Sequence, residues 1–206
     1  RQAACQHELL HHKEAARIAR RVLDLDPDHT EALWTLGTSL VALGQLGEAL
    51  GPLTDLHELH PSRRNHRLLA NIYERMQRYE EALEHVDALV RMTPGSPHLL
   101  ERRGGLLLRL GRPEEALEDY WTILEISPEF PGNIENIVAI LQRLGREDEL
   151  LRLYRTLAER LPRLQRPRWK LIEILLSRGE WDQAEEQLRT LRRLHPEEGL
   201  PALQLG

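Results

Sequence analysis

The chain is 206 residues long, with 28 Lys and Arg against 33 Asp and Glu and a formal charge of −5, which excludes a generally basic coat for nucleic acid. Apolar residues make up 41% and aromatics only 4%, and the prevalence of Leu and Ala favours closely packed helices over a β-rich fold. Cys5 stands alone, so no internal disulfide or cysteine metal knot is available, no apolar run reaches the ~18 residues of a membrane span, and no leader-like segment opens the chain.

Along the chain, Pro27, Pro61, Pro94, Pro128, Pro162 and Pro196 follow one another at 34, 33, 34, 34 and 34 residues, a spacing that marks internal repetition. Twelve residues before each proline stands Ala15, Ala49, Ala82, Ala116, Leu150 or Ala184, preceded by Glu14, Glu48, Glu81, Glu115, Glu149 or Gln183. Five residues ahead of the later members of that ladder come Gly44, Gln77, Gly111, Gly145 and Gly179, at the place where a left-handed residue closes a helix. Each unit therefore reads as helix, tight turn, helix, proline. The proline ends the second helix because it has no backbone donor and expels its predecessor from the α region.

Taken in order, the predicted units are a truncated one over 1–29, then 30–62, 63–96, 97–130, 131–164 and 165–198, with the start of a further unit at 199–206. In the second, Leu33, Leu36, Leu40 and Leu43 mark one face of the first helix, and Leu46, Leu50, Leu53 and Leu56 mark one face of the second. Such faces are buried only by stacking neighbours, so a single solenoid over 1–206 is expected.

This pattern resembles the tetratricopeptide repeat (TPR) family, whose unit carries Trp, Leu, Gly and Tyr in the first helix and Ala, Phe, Ala and Pro later. Leu36-Gly37 stand at the Leu-Gly pair, Gly104 repeats the Gly, Tyr73 fills the Tyr position, and Tyr120 and Tyr154 the Phe position. Ala70, Val138 and Ile172 replace the Gly and Leu150 the central Ala, so wider helix spacing is expected in the fifth and sixth units. Leu205-Gly206 fall on a further Leu-Gly pair, and a longer parent array is expected. The resemblance implies an all-α fold, a right-handed α-solenoid of stacked helix-turn-helix units.

It also implies a concave groove lined by positions 2, 5, 6, 9, 12 and 13 of each first helix. Across the second to sixth units these collect Arg64, Arg67, Arg75, Arg102, Arg109, Arg143, Arg166 and Lys170 against Glu31, Glu74, Glu101, Glu135 and Glu173, a positive groove on an acidic chain. Arg75, Arg109 and Arg143 share one position, giving an expected arginine row with steps of roughly 10 Å, suited to carboxylates. The same position lies in the last turn, where the helix dipole also favours a cation. Arg67 and Asn71 resemble the start of the two-carboxylate clamp of co-chaperone repeats; Arg102 stands where its next Asn is expected, and Asn136 comes one unit late. Trp34 and Trp169 are candidate flat anchors, whereas Trp121 and Trp181 are expected in the core.

His7-Glu8-Leu9-Leu10-His11 matches the H-E-x-x-H zinc pattern, but the repeat places His11 and His12 in the turn between two helices, which breaks the geometry that pattern needs. Charge runs such as Arg17, Arg20 and Arg21, or Glu114, Glu115 and Glu118, read as solvated faces. No catalytic residue, cofactor or metal is expected. The expected function is a protein-interaction scaffold that takes a peptide or protein segment, acidic in character, with no nucleic acid and no direct membrane insertion. A substrate-recruiting region of a larger sulfotransferase or glycosyltransferase, or an envelope export scaffold, are the alternatives. The chain is expected to be soluble, with the cytoplasm ahead of the periplasm.

Overall fold

A computed structural model describes residues 2–196, with side chains from residue 8 onward. Those residues form eleven α-helices and no strand: α1 (Gln2–Leu23), α2 (Thr30–Ala42), α3 (Leu46–Leu59), α4 (Arg63–Arg75), α5 (Tyr79–Met92), α6 (Pro97–Arg109), α7 (Pro113–Ile126), α8 (Asn133–Arg143), α9 (Glu147–Arg160), α10 (Gln165–Ser177) and α11 (Trp181–Leu194). From α2 onward they form five helix pairs in the predicted order. Every second helix stops on the residue before a repeat proline. His60, Thr93, Ser127, Leu161 and His195 have ψ of 78°, 73°, 78°, 59° and 66°, outside the α region.

Within each pair the turn is closed by the third ladder. Gly44, Gly111, Gly145 and Gly179 have φ between 66° and 77°, and Gln77 takes the same left-handed conformation at φ 59°. Glycine reaches this region freely, whereas a Cβ costs roughly 1–2 kcal/mol there. Gln77 is the one non-glycine residue with positive φ among those described. The first unit departs from expectation. Instead of two short helices with a turn at His11 and His12, α1 runs unbroken from Gln2 to Leu23, because Leu10 stands where later units have the turn residue and nothing there favours a left-handed backbone.

The chain divides after Phe130 into two compact units, Arg1–Phe130 and a second beginning at Pro131. The division falls at Phe130-Pro131-Gly132, where Gly132 opens α8 with φ 74°.

In the first unit the core is built from the leucine faces read in the sequence. Leu33, Leu40 and Leu53 are each 2% exposed, and they meet Leu69 and Ile72 of the next pair. Helix pairs close tightly where the first helix carries glycine. A Cβ added at Gly37 would stand 2.3 Å from Leu53 Cγ, and one at Gly104 2.9 Å from the Tyr120 ring. A charged cluster ties three helices together: Arg103 of α6 donates through Nε to Asp119 of α7 at 2.8 Å and through a terminal nitrogen to Asp87 of α5 at 3.3 Å. Asp119 is buried, and its hydrogen bond with Arg103 raises the guanidinium pKa further.

In the second unit the core gathers Leu151, Ala158, Leu171, Ile172, Leu175, Ala184 and Leu191. The pairs α8–α9 and α10–α11 pack less closely than α2–α3, α4–α5 and α6–α7. Val138 and Ile172 stand there at the repeat position that Gly37 and Gly104 hold in the first unit. Arg168 is buried here, donating to the Ala158 carbonyl at 2.6 Å and to Gln187, and burial lowers its pKa.

Gly37 of α2 and Gly105 of α6 separate packing from propensity. Gly37→Ala gains about 1 kcal/mol of helix propensity, yet its methyl overlaps the buried Leu53, so a net destabilisation of roughly 1–3 kcal/mol is expected. Gly105→Ala meets nothing within 4 Å and should stabilise by about 0.5–1 kcal/mol. Urea denaturation followed by circular dichroism checks both signs. Gln77→Gly should stabilise by a few tenths to about 1 kcal/mol, since relief of left-handed strain outweighs the added chain entropy.

Candidate functional site

The C-terminal ends of α4 and α6 and the turn into α5 enclose an open cavity of about 510 Å³ lined by Glu74, Arg75, Gln77, Tyr79, Arg102, Gly105, Leu106 and Arg109. Two members of the expected arginine row, Arg75 and Arg109, face this one space. Both are exposed and both lie in the last turn of their helix, where the dipole favours a cation. Arg75 makes no ion pair or hydrogen bond through its side chain among the described residues. Arg109 donates to the Tyr79 hydroxyl at 3.3 Å, with its guanidinium carbon 5.3 Å from the centre of that ring.

Arg102 is differently placed. Its Nε donates to Glu74 at 2.6 Å, and a terminal nitrogen donates to the Asn71 side-chain oxygen. The clamp-like trio read in the sequence is thus partly closed on itself: Arg102 and Asn71 bond each other, and Arg67 stands exposed one turn earlier on α4. Arg64 lies over the Trp34 ring at 3.5 Å, and the indole packs against the core, so this expected anchor is covered.

In the second unit, Arg143 ends α8 and is exposed, and Asn136 lies half-buried on the same helix. A cavity of about 410 Å³ is lined by Ile134, Glu135, Val138 and Tyr154 on one side and by Arg163, Leu164, Arg166, Pro167 and Lys170 on the other. Val138 and Tyr154 occupy the places held in the first unit by Gly104 and Tyr120, which touch. Lys170 is paired with Glu173 at 2.6 Å. Trp169 packs against its unit's core. Trp181 corrects the sequence expectation: it is 66% exposed, because it opens α11 on a face that no described helix covers. Trp121 is half-buried.

For the H-E-x-x-H segment, His11 lies inside α1, and the His7 side chain lies outside the described residues.

One constellation escaped the sequence reading. His57 of α3, His66 of α4 and His85 of α5 converge, with ring centroids 4.3, 5.4 and 5.2 Å apart and the Nδ1 atoms of His66 and His85 3.0 Å from each other. Tyr73 stacks on His85 with 13° between the rings. Burial, reinforced by the two neighbouring imidazoles, pushes His85 down to about 4; burial foremost, then His57 and Arg91, lowers His66. The residues are 9 and 19 apart, a spacing that no helical or short-loop motif produces.

Comparison with known proteins agrees with the fold. A tetratricopeptide-repeat family model matches residues 69–145, and a model of anaphase-promoting complex, cyclosome, subunit 3 matches 8–89. No curated protein matches the chain. Among solved structures, one of MamA has 21% identity and a TM-score of 0.59, covering 79% of this chain and 90% of its own. A tetratricopeptide repeat protein from Parabacteroides merdae has 19% identity and a TM-score of 0.55, covering 93% and 80%. YrrB, described as a TPR protein with an unusual peptide-binding site, has 18% identity and a TM-score of 0.51, covering 89% and 95%. With its five proline-ended helix pairs and left-handed turns, and a tetratricopeptide-repeat model matching residues 69–145, the chain has the tetratricopeptide-repeat fold.

Proposed function

We propose that the chain binds an extended acidic segment of a partner protein, with the carboxylates received by Arg75 and Arg109 at the cavity between the ends of α4 and α6. The observation that carries this reading is the contrast among three neighbouring arginines. Arg102 is neutralised by Glu74, whereas Arg75 and Arg109 face the same cavity without a carboxylate partner among the described residues. Two guanidinium groups on one open space suit carboxylates, each of which accepts two parallel hydrogen bonds from Arg. Tyr79 and Leu106 add apolar surface beside them.

Gln77 supports the same reading. It lines the cavity while holding a left-handed backbone that its four turn counterparts reach as glycines. Strain kept at a binding surface is a common companion of function. Arg67 and Asn71 lie toward the start of α4 and extend the polar surface along the helix. In the second unit, Arg163, Arg166 and Lys170 beside Val138, Tyr154 and Leu164 offer an apolar recess with a cationic rim, suited to an apolar side chain flanked by acids. That YrrB, of the same fold, is described as having a peptide-binding site is consistent with this use of the surface.

The test is a binding titration with labelled extended peptides rich in Asp and Glu, compared with Lys-rich peptides of equal length. Acidic peptides should bind preferentially and weaken as salt is raised. Arg75→Glu with Arg109→Glu should reduce binding about tenfold or more, equivalent to about 1.4 kcal/mol, with helix content unchanged. Equal binding of acidic and basic peptides, or binding that survives the double reversal, would sink the proposal.

A further inference from the structure

Three imidazoles from three different helices converge at the joint between the second and third repeats, and none of them lines the arginine cavity. His57 comes from the second helix of one repeat, and His66 and His85 come from the two helices of the next. One ring nitrogen from each lies within 4.8 Å of the others. The geometry points to a metal site in which His57, His66 and His85 hold a first-row divalent transition ion, Zn²⁺ foremost, as a staple between adjacent repeats.

Zinc–imidazole bonds of about 2.0–2.1 Å in a tetrahedron set ligand nitrogens roughly 3.3 Å apart. His66 and His85 already stand close to that spacing, with their Nδ1 atoms at 3.0 Å. The third nitrogen must approach by no more than about 1.5 Å, within reach of small side-chain rotations. A second observation is independent of the spacing. His57 Nδ1 is buried and has no hydrogen-bond partner, a cost that a coordinated ion removes. Imidazole is the ligand type that suits zinc, copper and nickel over magnesium or calcium.

Around the triad, the Tyr73 ring stacked on His85 holds one ligand in orientation, the part that outer-shell groups play at metal sites. Arg91 is the cation felt by His66. Among the described residues no carboxylate joins the three ligand atoms, so the fourth coordination position falls to water or an exogenous anion. With no general base in the set, the site is suited to fastening rather than hydrolysis. It falls at a loose joint, since α3 and α4 meet less closely than α5 and α6 do at the next one. An ion bound only by the folded chain raises stability in proportion to the logarithm of its free concentration.

The experiment titrates Zn²⁺ into the chelator-stripped full chain by calorimetry and follows the thermal midpoint in parallel. One equivalent should bind and raise the midpoint. His57→Gln, His66→Gln and His85→Gln should each weaken binding by more than the roughly 10- to 100-fold that loss of an outer-shell partner costs, and His11→Gln should leave it unchanged. No uptake by the wild-type chain, or equal uptake by the three variants, overturns the site. If a variant loses helix content, zinc-edge X-ray absorption of the wild-type complex decides instead: three imidazole nitrogens support the site, and fewer overturn it. Arg75→Glu with Arg109→Glu should bind zinc normally, so failure of the peptide proposal and failure of this one are distinguishable.

Discussion

Everything in each unit of this chain depends on how closely the two helices of a pair approach. A single pair has more apolar surface than it can bury between its own helices, so each pair closes on itself along one stripe and on its neighbour along another. Gly37 against Leu53 and Gly104 against Tyr120 leave no room even for a methyl group, and these contacts set the tight pairs of the first unit. Where Val138 takes the glycine's place, it and Tyr154 line an open space. One repeat position thus links the sequence to a recess in the surface of the second unit.

Electrostatics on the first unit follows from the same stacking. Successive first helices lie side by side, so residues about one repeat apart become neighbours. Arg102 reaches Glu74 and Asn71, 28 and 31 positions earlier, while Arg75 and Arg109 end up facing one cavity. The helix dipole explains why a cation is favoured at each of those last turns. It does not explain why one neighbouring arginine is neutralised and two are left facing open space. That difference is the basis of the proposed preference for carboxylates.

The histidine triad arises from the same geometry at the other side of the stacking, where the second helix of one repeat meets both helices of the next. The His57 ring packs edge to face on the other two, and burial together with the neighbouring imidazoles keeps His85 uncharged through the neutral range. Uncharged imidazoles at such separations can serve as packing or as ligands. The unpartnered nitrogen of His57 favours the second role.

By itself the sequence determined the period, the second-helix ends, the turn positions and the buried faces of the pairs. Those depend on local chemistry: proline's missing donor, the left-handed turn and the 3.6-residue spacing of leucines act over a few residues. The left-handed turn was legible even at Gln77, where the repeat position rather than the residue type marked it. Extending the same ladder to the first unit failed at Leu10, because a repeat position without a turn-forming residue leaves the helix free to continue through His11 and His12. Only the tertiary structure decided which arginines are neutralised, that Arg64 covers Trp34, that Trp181 is exposed, and that His57, His66 and His85 meet. The physical reason is reach. Side chains 19 to 31 residues apart become neighbours through the rotation and spacing of whole helices, which no local pattern of residues encodes.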